Sequence, residues 1–223
     1  MQRRSYDQYC AVAKALDVIG ERWTLLILRD LVHLGPRRFS DLKEGLPGIG
    51  ANLLTERLRH LEREDIVRRR RLEPPARGVV YELTELGAGL EPMIIELGRW
   101  GGNFMGERRA GDVFFATGHV SAIRATFRSD DARGIRARYE FQLDGEVFHV
   151  HLDDGRVEAR PGPSGDPDLV IETDVNTSIE LMLRQLPPGN AVRSGAARLT
   201  GGDLRAFEQA IDLLAWVPRY AGA

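Results

Sequence analysis

The 223-residue chain contains a single cysteine, Cys10, so an intrachain disulfide is excluded and a reducing compartment fits. No apolar run approaches the ~20 residues that span a bilayer, and Met-Gln-Arg-Arg-Ser-Tyr-Asp at the start lacks the apolar core of a secretion signal. A cytoplasmic location without membrane contact is expected. Lysine is nearly missing: among 31 basic residues only Lys14 and Lys43 are lysines, and the arginine fork that replaces them suits phosphate. Five scattered histidines, no complete Gly-x-Gly-x-x-Gly and no Ser/His/Asp or paired-carboxylate arrangement give no active site, so neither enzyme activity nor a cofactor is expected. His149 and His151 share a strand face but lack a third ligand, and no metal is expected there.

What is present is a charge asymmetry. Residues 1–110 carry 19 basic and 16 acidic side chains, net +3, whereas residues 111–223 carry 12 and 17, net −5. Within residues 37–77 the balance reaches 11 basic against 7 acidic. With 43% hydrophobic residues, enough for two cores, the chain divides into a domain over 1–110 and another over 111–223.

In the first half, apolar positions at helical spacing flank Gly20 over residues 10–33, which predicts two helices closed by Gly35 and Pro36. Ser40 ahead of Asp41-Leu42-Lys43-Glu44 reads as a capping box opening a short third helix. The turn Gly45-Leu-Pro47-Gly48-Ile-Gly50 then leads into a helix from Ala51 to about Glu64, with Leu54, Leu58 and Leu61 on one face. At 100° per residue its opposite face presents Asn52, Thr55, Glu56, Arg59 and Arg63. That is the helix-turn-helix pattern, although a plain helical hairpin with a solvated face has it too. The next stretch, Ile66 to Leu72, a Pro74-Pro75-Ala76-Arg77-Gly78 turn and Val79 to Leu83, predicts a β-hairpin led by Arg68-Arg69-Arg70-Arg71. Four adjacent like charges repel one another, so the ribbon reads as a wing held out to nucleic-acid phosphates, with Arg77 at its tip. Residues 86–107 carry Leu90, Met93, Ile94, Leu97, Trp100 and Phe104 at helical steps; such a stripe packs either on its own domain or on a second subunit, and the second subunit is the expected cover.

Cys10, Ile19-Gly20-x-x-Trp23-Thr24-Leu25-Leu26-Ile27-Leu28, Arg38-Phe39-Ser40-x-Leu42, Pro47-Gly48-Ile49, Leu54-Thr55-x-Arg57-Leu58-x-x-Leu61, Val67-x-Arg69, Tyr81-x-Leu83-Thr84-x-x-Gly87 and Trp100 occur in order. This succession, over roughly residues 7–105, resembles the HxlR-type winged helix-turn-helix regulators of bacteria, with Ala11 where that family often has proline. The resemblance implies a homodimeric transcription factor that binds double-stranded DNA, with repression as the expected direction. Its DNA-touching positions fall on Ser40, Asn52, Thr55, Arg59 and the wing arginines Arg69, Arg70, Arg71 and Arg77. It also implies that Cys10 is a redox or electrophile sensor; an inert small apolar thiol is the competing reading.

The second half alternates at residues 135–143 and 148–152 around the Asp144-Gly145 turn, and continues at 157–159 and 168–173, predicting about four strands of an antiparallel meander. Helices are predicted over 176–186 and 203–216, and Ile123 and Phe127 suggest another near 119–128. The whole is an α+β chain of two domains, the second an antiparallel sheet with helices on one face. Asp144-Gly145, Asp153-x-Gly155, Pro167-Asp168, Thr173-Asp174 and Thr200-Gly201-Gly202-Asp203, in that order, resemble the sterol carrier protein type 2 family over about residues 118–217. The resemblance implies a lipophilic small-molecule effector, for which Phe141, Phe148, Leu181, Met182, Phe207 and Trp216 are lining candidates; each also serves as plain core. A lipid-carrier or small-molecule enzyme module that uses its first half only to dimerise is the alternative.

Overall fold

The computed structural model describes residues 5–104 and 116–216. Its backbone packing divides into two compact units, Met1–Ile94 and Ile95–Ala223. The boundary expected at residue 110 falls in 105–115, outside the described residues.

In the first unit, helices α1 (Ala11–Ile19), α2 (Thr24–Leu34), α3 (Phe39–Gly45) and α4 (Ala51–Arg63) precede strands β1 (Val67–Arg71) and β2 (Val79–Leu83). Trp23 takes the left-handed conformation, φ 78°, at the head of α2, so the chain reverses there at a residue that rarely adopts it. Ile27, Leu28, Leu31, Leu42, Leu54, Leu58, Leu61 and Val67 make one buried core. The cap of α3 differs from the expected one. The helix begins at Phe39, so Ser40 lies inside its first turn, and Asp41 accepts the Arg38 amide at 3.0 Å while Ser40 donates its hydroxyl to the same carboxylate.

The predicted helix over 86–107 is broken. A short α5 (Glu85–Ala88), capped by Thr84, is followed by α6 (Glu91–Gly101) and one 3-10 turn at Gly102–Phe104; residues 105–107 lie outside the described ones. Pro92, which has no amide proton to donate, fits the first turn of a new helix and not the middle of a continuous one. Gly87 in α5 is required because a Cβ there would lie 2.0 Å from the carbonyl oxygen of Ile66.

The second unit holds a five-stranded sheet in the order β5-β4-β3-β6-β7, from β3 (Arg136–Leu143), β4 (Glu146–Asp153), β5 (Arg156–Pro161), β6 (Leu169–Thr173) and β7 (Ala197–Thr200). Asp144-Gly145 makes the expected two-residue turn and Asp154-Gly155 a second one, all four residues at positive φ. The sheet is antiparallel except at β3–β6, which run parallel, because the long connection over 162–168 returns the chain to the far edge of β3. Helices α7 (Ala116–Thr126), α8 (Val175–Met182), α9 (Pro188–Ser194) and α10 (Leu204–Leu214) contribute to one core with the inward strand residues. Strand β7 and helix α9 were not expected. Pro187-Pro188-Gly189 reads as a terminator, but Pro188 occupies the first turn of α9, where its missing amide costs nothing.

This packing generates two expected outcomes. Gly87→Ala should destabilise the chain by roughly 1–3 kcal/mol in urea denaturation, since backbone must move to admit the methyl group. Wild-type stability there would contradict the close approach. His119 is fully buried, and burial pushes its pKa down to about 3. The unfolded chain therefore binds a proton that the fold excludes: its stabilising contribution is complete above about pH 6.5 and falls away towards pH 3, at up to ~1.4 kcal/mol per pH unit. His119→Phe should flatten that part of the stability profile.

Candidate nucleic-acid interface

Leu54, Leu58 and Leu61, spaced four and three residues apart, are at most 1% exposed, and their burial fixes the rotation of α4. The opposite face brings Asn52, Thr55, Glu56, Arg59, Glu62 and Arg63 together along one open recess. Arg57 reaches Glu21 at 3.2 Å and His60 Nε2 donates to the Val18 carbonyl at 2.9 Å, tying one flank of α4 to the end of α1 and the turn after it. Thr55 donates its hydroxyl proton to the Ala51 carbonyl at 2.9 Å, leaving its oxygen as an acceptor. The side chains of Asn52 and Arg59 make no hydrogen bond or ion pair to other described residues. Both are exposed, as is Ser40.

The wing forms as expected, with Arg68 opposite Glu82, Arg69 opposite Tyr81 and Arg71 opposite Val79. Its base gains a third strand-like contact: Arg37 exchanges both backbone hydrogen bonds with Tyr81, at 2.9 and 2.7 Å. Gly78, at φ 118°, leaves room for the Arg38 guanidinium, which lies 3.1 Å from where a Cβ would stand.

The four arginines do not all stand free. Pleating sends Arg68 and Arg70 to one face, where both contact Glu82, at 2.9 and 2.7 Å, and hold its carboxyl below the usual range. Arg69 turns to the other face and pairs with Glu62 of α4 at 2.6 and 3.0 Å. Among the described residues Arg71 and Arg77 have no ion pair, and both are exposed. The expectation of an unneutralised run therefore holds at the tip half of the ribbon and not at its base. The partners were missed because they lie 7 to 14 positions away; the strand register, which sets Glu82 opposite Arg68, is the signal that would have found one of them.

Cys10 sits exposed at the head of α1, where the amides of Ala13 and Val12 lower its pKa without a formed side-chain cap hydrogen bond. Val12 and Leu16 on α1, Leu26 on α2 and Met93, Leu97 and Trp100 on α6 are exposed apolar side chains, and Phe104 stacks edge-on against Trp100 at 4.8 Å.

In the second unit Phe141, Phe148, Leu181, Met182, Phe207 and Trp216 all belong to a single core, none more than 5% exposed. Phe141 and Phe148 stack at 4.7 Å across β3–β4, His119 packs against Phe148 and Trp216, and Ser178 Oγ meets His119 Nε2 at 2.8 Å. Among the described residues no three His, Cys, Asp or Glu side chains are grouped to hold a metal, and no helix is long and apolar enough to cross a membrane.

The family model described as HxlR-like helix-turn-helix matches residues 18–109, and that of the SCP-2 sterol transfer family matches residues 122–214. The HTH-type transcriptional regulator YodB of Bacillus subtilis is 38% identical over 90 residues, covering 40% of this chain and 80% of its own length. The chain belongs to the HxlR-like helix-turn-helix family. It is a transcriptional regulator carrying an SCP2 domain. The uncharacterized HTH-type regulator YtcD of the same organism is 37% identical over 114 residues, 51% of this chain and 87% of its own. The redox regulator HypR in its oxidized form shares 34% identity with a TM-score of 0.40, covering 45% of this chain and all of that one.

The thiol environment carries one expectation for this HxlR-family chain. Alkylation of Cys10 by iodoacetamide should rise with pH through a midpoint below that of N-acetylcysteine measured alongside. A midpoint at or above that reference contradicts the amide effect.

Proposed function

We propose that this regulator acts as a homodimer that binds duplex DNA through α4 and the β1–β2 wing, and that its SCP2 domain reports a lipophilic small molecule. The observation that carries the DNA reading is the division of α4: three leucines are buried on one side, while Asn52 and Arg59 are free and exposed on the other. Asn52 suits the N6/N7 edge of adenine and Arg59 the O6/N7 edge of guanine. Ser40 and Thr55 supply further hydroxyl contacts, and Arg71 and Arg77 meet phosphates, joined by Arg70 when it leaves Glu82. That exchange is easy, since an exposed ion pair is worth about 0–1 kcal/mol. The exposed apolar side chains of α1 and α6 are suited to the second subunit, which sets two half-sites roughly one helical turn (~34 Å) apart.

The chain works by binding and not by catalysis in this reading: among the described residues the Ser–His hydrogen-bonded pair, Ser178 with His119, is buried. Repression is the expected direction. A lipophilic effector enters by differing affinity for DNA-competent and incompetent arrangements of the dimer. A second reading, thiol switching, is favoured by the lowered Cys10 pKa; Cys10→Ser protein that still releases DNA on oxidant treatment would dispose of it.

Fluorescence anisotropy with DNA from the region upstream of its own reading frame tests the interface. Arg71→Ala or Arg77→Ala should weaken all sequences alike and lower the salt slope by about 1 for each phosphate no longer bound by each subunit. Asn52→Ala should instead cost ~1–3 kcal/mol at one base pair and relax the preference there. Wild-type binding by both kinds of variant would remove α4 and the wing from the interface. Mass spectrometry of organic extracts of the purified protein should recover a lipophilic molecule; none recovered, and none bound from an added fatty-acid series, would remove the effector.

A further inference from the structure

The wing arginines are chemically alike but not alike in their surroundings. Arg68 and Arg70 share one carboxylate on their own ribbon, so their pairing constrains only the hairpin. Arg69 makes a two-point contact, Nε to Oε1 at 2.6 Å and Nη2 to Oε2 at 3.0 Å, with Glu62 on the helix before the hairpin. Its guanidinium carbon also lies 5.8 Å from the centre of the Tyr81 ring, on the strand after it. One side chain thus joins α4, β1 and β2. The α4–β1 connection is only three residues long and turns at Asp65, φ 56°, whose carbonyl accepts the Thr84 hydroxyl. The angle between helix and ribbon is therefore set at two places: the turn at one end, and Arg69 further out along the strand.

We propose that Glu62 and Arg69 are a positioning pair that fixes the angle between α4 and the wing, and that Arg69 is not a phosphate ligand. Fork-to-fork pairing of guanidinium and carboxylate fixes direction as well as distance, which a single-point contact does not. Tyr81 closes the open face of the guanidinium. The Nε/Nη2 edge, the fork that a phosphate oxygen pair would use, is thereby occupied within the protein. Glu62, a carboxylate on the face turned towards a polyanion, gains a reason to be there: it orients the wing, and its charge is cancelled by the arginine it holds. The proposal rests on the DNA reading for its consequence and not for its geometry, so its test has one arm without DNA.

In that arm, amide hydrogen exchange is followed on the intact chain for wild type, Glu62→Gln, Arg69→Gln and, as the reference at a wing arginine without an ion pair, Arg71→Gln. Amides of β1 and β2 should exchange about fivefold faster in the first two variants, the factor a well-formed exposed ion pair supplies, and unchanged in the third. In the second arm, DNA affinity is measured against salt. Both Glu62→Gln and Arg69→Gln should weaken binding severalfold with the wild-type salt slope, whereas Arg71→Ala lowers the slope. The exchanged pair, Glu62→Arg with Arg69→Glu, should recover most of the affinity. Tighter binding by Glu62→Gln together with a lower slope for Arg69→Gln would overturn the proposal, making Arg69 a phosphate ligand that Glu62 holds back. Unchanged wing exchange in both variants would overturn it without touching the DNA reading, and absence of DNA binding by wild type beside faster wing exchange would leave the pair standing and remove the DNA reading.

Discussion

Burial of Leu54, Leu58 and Leu61 is the constraint on which the first unit depends. A helix can hide only one stripe, and with these three leucines against Ile27, Leu28 and Leu42 the rotation of α4 is no longer free. Every polar residue at the complementary positions is forced outward as a set. Arg57 and His60, both on one margin of the stripe, add fixed hydrogen bonds to the turn after α1 and to the end of that helix, which restrains the rotation further. The wing inherits this order, because it leaves α4 after three residues and packs its Val67 into the same core.

Charge is arranged under a second constraint. A surface for a polyanion needs positive charge, yet a row of free guanidinium groups would repel itself in the protein without DNA. The ribbon resolves this by position: carboxylates from Glu62 and Glu82 accompany the arginines near the core, and the tip carries Arg71 and Arg77 without ion pairs among the described residues. The Arg70–Glu82 pair is individually weak, so it shapes the free protein and still permits a later exchange of partners, whereas the two-point Arg69–Glu62 pair stays within the protein.

The helix-turn-helix, the hairpin and the alternating strands of the second unit were legible in the sequence because each is written in local spacing: leucines at four and three, a Pro/Gly turn, Asp-Gly between alternating runs. What escaped was non-local. The Arg68–Glu82 and Arg69–Glu62 pairs depend on strand register and on the fold of a helix onto a ribbon, and no window of a few residues contains them. Strand β7 is four residues long and reads as loop until β6 is placed beside it. The parallel β3–β6 pair could not be told from an antiparallel one, since both bury Leu169 and Ile171 alike. Pro92 and Pro188 have the same lesson: proline marks a boundary, and whether a helix ends or begins there depends on the residues beyond it. The six apolar side chains named as ligand lining share one core, a result that any well-packed sheet and helix layer produces.

The central claim is that the exposed face of α4 enters a major groove in each half of a two-fold complex. Methylation protection on DNA selected from a random pool by the intact protein tests it most directly. Two clusters of guanine N7 protection are predicted, centred about one helical turn apart and lost selectively with Arg59→Ala. Selection that enriches no sequence, or N7 reactivity that is unchanged throughout the bound fragment, would contradict it.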